Sequence, residues 1–290
     1  MRNPKSKPIK AIFIDLDGTL LRHDLSISDL DRLAVEKANH HGIEIILASG
    51  RPARAIAQTS SLLGIGRYII ASNGGSIMDL KNDEIISYYP LSMDMVREIV
   101  KIAYEHGATP TVYSAKKWFV EKYDLNVEIE VDRAGIKPEV VSFSSINDPI
   151  IKVLVISKQF PSKYIESKIE AVSTSHLEWF YTYPEYLEVM AINASKGNAR
   201  DFLLDMLEIS KDQTIAIGDG DNDYALIKGA GIGVAMANGS EKVKQIAAYI
   251  TSSNEKNGVA AAIFGLIFNE KDYYHQLKSN SEMKNYSSPV

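Results

Sequence analysis

The chain of 290 residues contains no cysteine. This absence excludes disulfide bonds, thiolate metal sites and a cysteine nucleophile, and it agrees with a reducing compartment. No stretch approaches the roughly 18 apolar residues that a membrane-spanning helix needs. The basic residues near the start precede an apolar run that Asp15 interrupts, so this segment does not match a signal peptide. The sequence therefore predicts a cytoplasmic protein without a membrane partner.

An excess of positive charge is also missing, because the formal net charge at pH 7 is -5. A nucleic-acid-binding surface would be basic and clustered, so no nucleic-acid partner is expected. We found no internal repeat. The length is large for a single hydrophobic core, and it favours two domains over one.

Short apolar runs alternate with helical patterns in the first third of the chain. Strands are predicted at 9–14, 43–48 and 68–71, with helices over about 28–42 and 52–63. The three runs are mainly apolar, so their strands are expected to be buried on both faces. This arrangement predicts a parallel sheet covered by helices on both sides.

The pattern changes in the middle of the chain and then returns. Strands are predicted at 118–123, 151–157, 177–183 and 186–192, with helices at 93–106 and 162–173. Helices at 199–207, 222–228 and 242–248 then alternate with strands at 214–217 and 232–235. The simplest organisation is an α/β domain in two segments, 1–82 and 191–268, with an inserted α+β domain at 83–190. A polar tail is predicted at 269–290.

Two carboxylates follow the first predicted strand. Asp15 and Asp17 are one residue apart, so they project to the same side of an extended chain. Their repulsion gives no stability, but a divalent cation between them would remove it. Gly18 allows a sharp turn just after the pair. The alternative interpretation is an acidic surface turn.

Two further clusters contain groups that bind anions. Ser49, Gly50 and Arg51 lie between a strand and a helix, where a hydroxyl and backbone amides form an anion site. A plain helix cap by Ser49 would also explain them. Lys196 lies at a helix N-terminus, where its charge opposes the helix dipole unless an anion is held there. A solvated surface lysine is the alternative.

A second acidic cluster, with Asp219, Asp221 and Asp223, follows the strand at 214–217. Such carboxylates are typical of a magnesium site, although they also cap helices. Ligands of open parallel sheets bind at the carboxyl ends of the strands, so all these clusters are expected to meet. Together the clusters offer carboxylates for a cation, and Ser, Lys and backbone amides for an anion. This combination indicates phosphoryl transfer through an aspartyl-phosphate.

On these motifs the chain resembles the Cof-like branch of the haloacid dehalogenase superfamily of phosphatases. The matching motifs are DLDGTL at 15–20, SGR at 49–51, SNGG at 72–75, SKG at 195–197, GDGDND at 218–223 and GVAMANG from 233. The resemblance covers about 10–268. It implies a Rossmann-like parallel-sheet core with a large cap inserted between the second and third motifs.

The resemblance also implies roles for particular residues. Asp15 would be the nucleophile, and Asp17 the general acid and base. The Mg²⁺ ligands would be Asp15, Asp219 and the backbone carbonyl of Asp17. Asp223 would either bind the ion or lie just outside its ligands, and it would help to orient Lys196. The phosphate ligands would be Ser49, Gly50, Lys196 and Asn222. Arg51, Asn73 and Gly74 would lie near the cleft between cap and core, and Thr19 would support the turn. The chain departs from the family pattern at Asn257, where Asp is usual, and at Leu226, where Met is usual.

The predicted function is Mg²⁺-dependent hydrolysis of a small phosphorylated metabolite, such as a sugar phosphate. Two alternatives use the same residues: a phosphomutase or other phosphotransferase, and a non-catalytic switch module akin to a receiver domain. Asp17 and the inserted domain argue against the switch. The cap is expected to move on the core near residues 82 and 191.

The substrate and the oligomeric state have no readable pattern in the sequence. Glu188, Tyr181, Tyr183 and Tyr186 either face the cleft or belong to the core of the cap sheet.

Overall fold

The computed structural model describes residues 7–158, 162–172 and 177–268, and only the backbone of Ala134, Ser162, Thr182 and Tyr183. The polar tail predicted at 269–290 lies outside the described residues, as does residue 173 of a predicted helix. Among the helices that are described, none is long and apolar enough to cross a membrane.

The first segment forms alternating strands and helices and then a hairpin. Its elements are β1 (Ala11–Asp15), α1 (Asp29–His40), β2 (Glu44–Ala48), α2 (Ala53–Leu63), β3 (Tyr68–Ala71), β4 (Ser76–Asp79) and β5 (Glu84–Tyr88). Helix α1 begins where the Ser28 hydroxyl accepts a hydrogen bond from the backbone N–H of Asp31 at 2.9 Å. The strands predicted in this segment are confirmed as β1, β2 and β3.

The second sheet is built from the middle of the chain. Its elements, with their helices, are α3 (Met93–Glu105), β6 (Thr109–Ser114), β7 (Trp118–Val120), α4 (Leu125–Ala134), β8 (Glu139–Val140), β9 (Ile150–Ile156), α5 (Ser162–Val172), β10 (Leu177–Tyr183) and β11 (Tyr186–Ala191). The described strands run in the order β10-β11-β9-β6-β7-β8. All neighbours are antiparallel except β7 and β8. We call this unit the cap.

The last segment returns to the first sheet. Its elements are α6 (Lys196–Met206), β12 (Thr214–Gly218), α7 (Tyr224–Lys228), β13 (Ile232–Ala235), α8 (Glu241–Ile246), β14 (Tyr249–Ile250) and α9 (Gly258–Ile263). The strand order is β14-β13-β12-β1-β2-β3-β4-β5, parallel from β14 to β3. The predicted α/β class with a parallel-sheet core is confirmed. We call this unit the core domain.

Strand β1 occupies the centre of the core sheet. Ile12 and Ile14 pack into the apolar layer on one face, and Phe13 packs into the layer on the other. The strand pairs in parallel with β2 and β12, so the carboxyl ends of all three lie at the same edge. This edge therefore brings together Asp15, the loop after β2 and the loop after β12.

Several predicted elements differ from the structure. The strand predicted at 118–123 ends at Val120, and the helix predicted from 222 begins as a 3₁₀ turn before α7 starts at Tyr224. Helix α6 begins three residues earlier than predicted, at Lys196. Helix α4 was not predicted, because its alternating Val and Ile side chains favour a strand. The Asp124 side chain nevertheless caps it, accepting from the Val127 N–H.

The hairpin of β4 and β5 was also not predicted. Strand β5 belongs to the core sheet, so the chain leaves that sheet after Tyr88. The division of the chain at 82/83 and 190/191 stays a prediction. From sheet membership, we propose that the first crossing lies after Tyr88 instead of residue 82.

Candidate active site

A buried lysine joins two carboxylates at the carboxyl edge of the core sheet. The Lys196 ammonium donates to Asp15 Oδ1 at 2.5 Å and to Asp223 Oδ1 at 2.6 Å. Lys196 and Asp223 are inaccessible to solvent, and Asp15 is buried. Burial alone lowers the pKa of Lys196, but attraction to the two carboxylates outweighs it and raises that pKa above its ordinary value. Lys196 is therefore a charged component of the site and not a surface lysine.

The loop after β12 is held in place by its own carboxylate. Asp223 Oδ2 accepts from the backbone N–H groups of Asp219 at 3.0 Å and Gly220 at 2.9 Å. Asp219 in turn accepts from the Thr19 hydroxyl at 2.8 Å. Gly18 has a φ of +80°, and a Cβ there would lie 2.4 Å from Asp219 Oδ2. The turn after β1 thus requires glycine in order to fit against Asp219.

The carboxylates of Asp15, Asp219 and Asp223 offer oxygen atoms within 4.8 Å of one another. If all three are ionised, they carry two more negative charges than Lys196 offsets. Burial, followed by repulsion from Asp223, raises the pKa of Asp15 well above its ordinary value, although Lys196 acts against the rise. Burial and Asp223 likewise raise the pKa of Asp219 to about 6. Hard oxygen donors with unbalanced charge fit a divalent cation such as Mg²⁺.

Asp17 lies apart from this cluster. Its carboxylate accepts from Arg51 Nη2 at 2.6 Å and from Arg51 Nε at 2.9 and 3.2 Å, and from the Ser49 hydroxyl at 3.5 Å. The pair is partly exposed at the cleft. The structure therefore places Arg51 in the cleft, bound to the proposed general acid.

The loops after β2 and β3 form the other wall. The Ser49 hydroxyl accepts from the Arg51 backbone N–H at 3.1 Å, and the Ser49 carbonyl accepts from the Asn73 N–H at 2.9 Å. Asn222 Nδ2 donates to Asn73 Oδ1 at 2.8 Å. Gly74 packs against the start of α6, where a Cβ would lie 2.2 Å from the Ser195 carbonyl oxygen. The predicted phosphate and cleft residues are thus brought together.

The cap closes the site and leaves a cavity of about 860 Å³ between the two domains. Lys152 and Glu188 line it, 3.4 Å apart, and both are buried. Tyr181 and Tyr186 also line it, with Tyr181 40% exposed and Tyr186 buried. The prediction about the Tyr183 side chain lies outside the described residues. Glu188 and Tyr181 thus line the cleft, whereas Tyr186 both lines it and packs in the apolar cluster of the cap.

Four charged cap residues of the cavity wall were missed by sequence reasoning: Glu130, Arg133, Lys152 and Glu178. Lys152 carried a signal, because it is the one charged residue in the otherwise apolar strand β9. A lysine in a fully buried strand needs a partner. Burial raises the pKa of Glu130 to about 7, although Lys152 acts against the rise.

The fold and this carboxylate–lysine site are those of a phosphoryl-transfer hydrolase, and comparison with known proteins identifies the family. Residues 12–263 match the family model for haloacid dehalogenase-like hydrolases. The chain belongs to this family, and it is a phosphatase of the Cof-like branch.

Solved structures and a curated relative agree with the assignment. A haloacid dehalogenase-like hydrolase from Bacteroides thetaiotaomicron is similar, with a TM-score of 0.82 and 30% identity over 89% of this chain and 99% of that one. The subclass IIB sugar phosphatase BT4131 shares the fold, with a TM-score of 0.78 and 24% identity over 89% and 98%. The 5-amino-6-(5-phospho-D-ribitylamino)uracil phosphatase YcsE of Bacillus subtilis strain 168 is 29% identical over 88% of this chain and 94% of its own length.

Proposed function

We propose that the protein is a Mg²⁺-dependent phosphatase that hydrolyses a small phosphomonoester through an aspartyl-phosphate on Asp15. The observation that carries this proposal is the position of Asp15, buried at the end of β1 beside Asp219, Asp223 and Lys196. Asp15 needs no base to act as a nucleophile once Lys196 and a bound cation hold it in the ionised form.

The residues present fit Mg²⁺. Asp15, Asp219 and Asp223 would hold it, and the backbone carbonyl of Asp17 stays a predicted fourth ligand. When bound, the ion would offset the charge of the carboxylates and of the phosphate oxygens.

The chain's own residues supply the rest of the reaction. Lys196 holds Asp15 Oδ1, which leaves Oδ2 to form a bond to phosphorus while the bond to the leaving oxygen breaks. Asp17 gives its proton to the leaving alcohol. It then takes a proton from water, which attacks the aspartyl-phosphate, releases inorganic phosphate and restores Asp15.

Arg51 has to release Asp17 during this cycle. In the observed contact, Arg51 donates to both carboxylate oxygens of Asp17, so Asp17 cannot present a proton to a leaving group at the same time. We infer that substrate binding displaces Arg51 from Asp17 and that the freed guanidinium binds a substrate oxygen.

The cavity sets the size of the substrate. A volume of about 860 Å³ accommodates a small metabolite, and its cap wall carries both charged and aromatic side chains. A sugar phosphate stays the proposed class. The name of YcsE makes phosphorylated ribityl compounds a second class to include in a screen.

Phosphate release from p-nitrophenyl phosphate and from a panel of phosphorylated sugars, polyols and cofactors tests the proposal. We expect turnover with Mg²⁺, none with EDTA, and a loss of at least about 10³-fold in Asp15→Asn. Activity that survives Asp15→Asn would contradict the nucleophile. A phosphorylated product with little free phosphate would indicate a phosphotransferase instead.

A further inference from the structure

The cap carries a buried ion pair at its contact with the core domain. Lys152 lies on β9 and Glu188 on the neighbouring strand β11, and 3.4 Å separates Lys152 Nζ from Glu188 Oε2. Their side chains are only 4% and 6% exposed. No step proposed above uses either residue.

Two hydrogen bonds of this pair reach the core domain. Lys152 Nζ donates to the Gly50 carbonyl at 3.1 Å, and Glu188 Oε2 accepts from Asn73 Nδ2 at 3.0 Å. A buried ion pair is stable only when such additional hydrogen bonds satisfy it. The cap pair therefore gains these two hydrogen bonds only when the cap is docked on the loops that contain Gly50 and Asn73.

The hydrogen bond from Lys152 affects Ser49 through the peptide unit between Gly50 and Arg51. The Gly50 carbonyl and the Arg51 N–H belong to the same peptide, and this N–H donates to the Ser49 hydroxyl oxygen at 3.1 Å. A cation on the carbonyl polarises the peptide and strengthens its N–H as a donor. The Ser49 oxygen is then held as an acceptor, so its own proton points into the cleft, where Asp17 Oδ2 accepts it at 3.5 Å.

The glutamate contact fixes two side-chain amides. Because Asn73 Nδ2 donates to Glu188, Asn73 Oδ1 faces the other way and accepts from Asn222 Nδ2 at 2.8 Å. This leaves the second N–H of Asn222 for an oxygen in the cleft. Glu188 thus sets the orientation of Asn73 and, through it, that of Asn222.

We propose that Lys152 and Glu188 are positioning residues through which the docked cap completes the phosphate-binding pocket. Lys152 orients Ser49 through the Gly50–Arg51 peptide, and Glu188 orients Asn222 through Asn73. Phosphate binding and cap docking stabilise each other by the same contacts. This inference rests on the proposed function, because Ser49 and Asn222 are phosphate ligands only there.

Calorimetric titration with inorganic phosphate, in the presence of Mg²⁺, tests the proposal in wild type, Lys152→Met and Glu188→Leu. The chain offers a matched control, because Lys117 and Glu139 form a second cap ion pair at 3.3 Å that is 47% and 52% exposed. We expect phosphate affinity to fall about tenfold or more in each cleft variant, as for a lost hydrogen bond to a charged group. Lys117→Met and Glu139→Leu should stay within about twofold of wild type.

Titration with Mg²⁺ alone separates positioning from general damage. We expect the Mg²⁺ affinity of Lys152→Met to stay within about twofold of wild type, because its contacts do not include the acidic cluster. A parallel loss of Mg²⁺ and phosphate affinity would indicate a structural role and would overturn the proposal.

Glu188→Gln keeps the shape of the side chain and an acceptor for Asn73, so it provides a test that does not depend on the larger substitutions folding. We expect it to weaken phosphate binding by about threefold or more, because Lys152 loses the charge of its ion-pair partner. No change in Glu188→Gln, or a Lys152→Met affinity equal to that of Lys117→Met, overturns the positioning role. A wild type that binds Mg²⁺ but no phosphate would instead count against the proposed function.

Discussion

At the scale of single residues, the site contains more carboxylates than its cation can balance. Lys196 lies between Asp15 and Asp223, and Asp219 completes the cluster without an ammonium of its own. The protein keeps this unfavourable charge at the centre of its largest sheet. Such an arrangement lowers stability unless a bound cation compensates, so metal binding and folding should be coupled here.

Asp219 provides a pH-dependent test of that coupling. Its pKa in the folded protein is about 6, raised from 3.8, so folding favours its protonated form. The stabilisation that comes from protonated Asp219 is present below about pH 4 and is lost as the pH rises through 6. In EDTA at pH 7.5, we expect Asp219→Asn to be more stable than wild type by about 1–3 kcal/mol, with no difference at pH 4.

Urea unfolding at both pH values measures this difference. Saturating Mg²⁺ should reverse the order at pH 7.5, because wild type binds the ion more tightly. Asp221→Asn is the control, since the side chain of Asp221 in the same loop is 62% exposed. The idea fails if wild type and Asp219→Asn are equally stable in EDTA at every pH.

The contribution of Asp17 to the rate, unlike that of Asp15, should depend on the leaving group of the substrate. An alkyl phosphate needs a proton on its leaving oxygen, whereas p-nitrophenolate leaves without one. We expect Asp17→Asn to lower kcat/KM for an alkyl phosphate by about 10²–10⁴-fold, and for p-nitrophenyl phosphate by at least about tenfold less. Initial-rate measurements on both substrates decide this, with the exposed Asp24→Asn as control. Equal losses on both substrates would argue against a proton donor.

At the scale of elements, the turn between β3 and β4 is fitted against the start of α6. Gly74 has a φ of +95°, and a Cβ there would overlap the Ser195 carbonyl. This contact holds SNGG and SKG, two motifs far apart in sequence, against each other. The position of Asn73, and so of Asn222, depends on it.

Replacing Gly74 with alanine should therefore lower the free energy of unfolding by more than backbone strain alone would. Gly64 is a matched control, because its φ is +59° and a Cβ there would meet nothing within 4 Å. We expect Gly64→Ala to destabilise the protein by about 1 kcal/mol and Gly74→Ala by at least about 2 kcal/mol more. Urea unfolding gives both values. If the two variants lose the same stability, the close packing of the turn against α6 is not important.

The sequence predicted the elements in which the local residue pattern favours the same secondary structure that the packed fold requires. The strands β1, β2, β3 and β12 are short apolar runs, and the polar residues at their ends mark the site directly. Helix α4 was missed because its β-branched residues favour a strand, while its cap at Asp124 and its packing require a helix. Lys152 was missed because its partners, Gly50 and Glu188, are distant in sequence. Pairings of this kind depend on how two domains dock, which local spacing does not encode.

At the scale of the whole molecule, two short crossings join the cap to the core domain. They span 89–92 and 192–195, between the ends of β5 and β11 and the starts of α3 and α6. The cavity with Asp15 lies between the two units, so we expect substrate entry and product release to require this cleft to open. Closure would in turn exclude water until the proposed aspartyl-phosphate has formed.

Hydrogen exchange should detect this closure. We expect Mg²⁺ with beryllofluoride, a phosphoryl analogue, to slow amide exchange at 49–52, 72–75 and 192–195, and to leave the outer helix α3 unchanged. Small-angle scattering should show a smaller radius of gyration in the same sample.

In Lys152→Met the protection should be largely lost, because the cap no longer gains its contact with Gly50 on closing. Lys117→Met should keep it, since the exposed Lys117 pairs within the cap. Exchange and scattering that do not respond to the analogue would show that the cap is rigid on the core, and substrate would then have to enter through an open cleft.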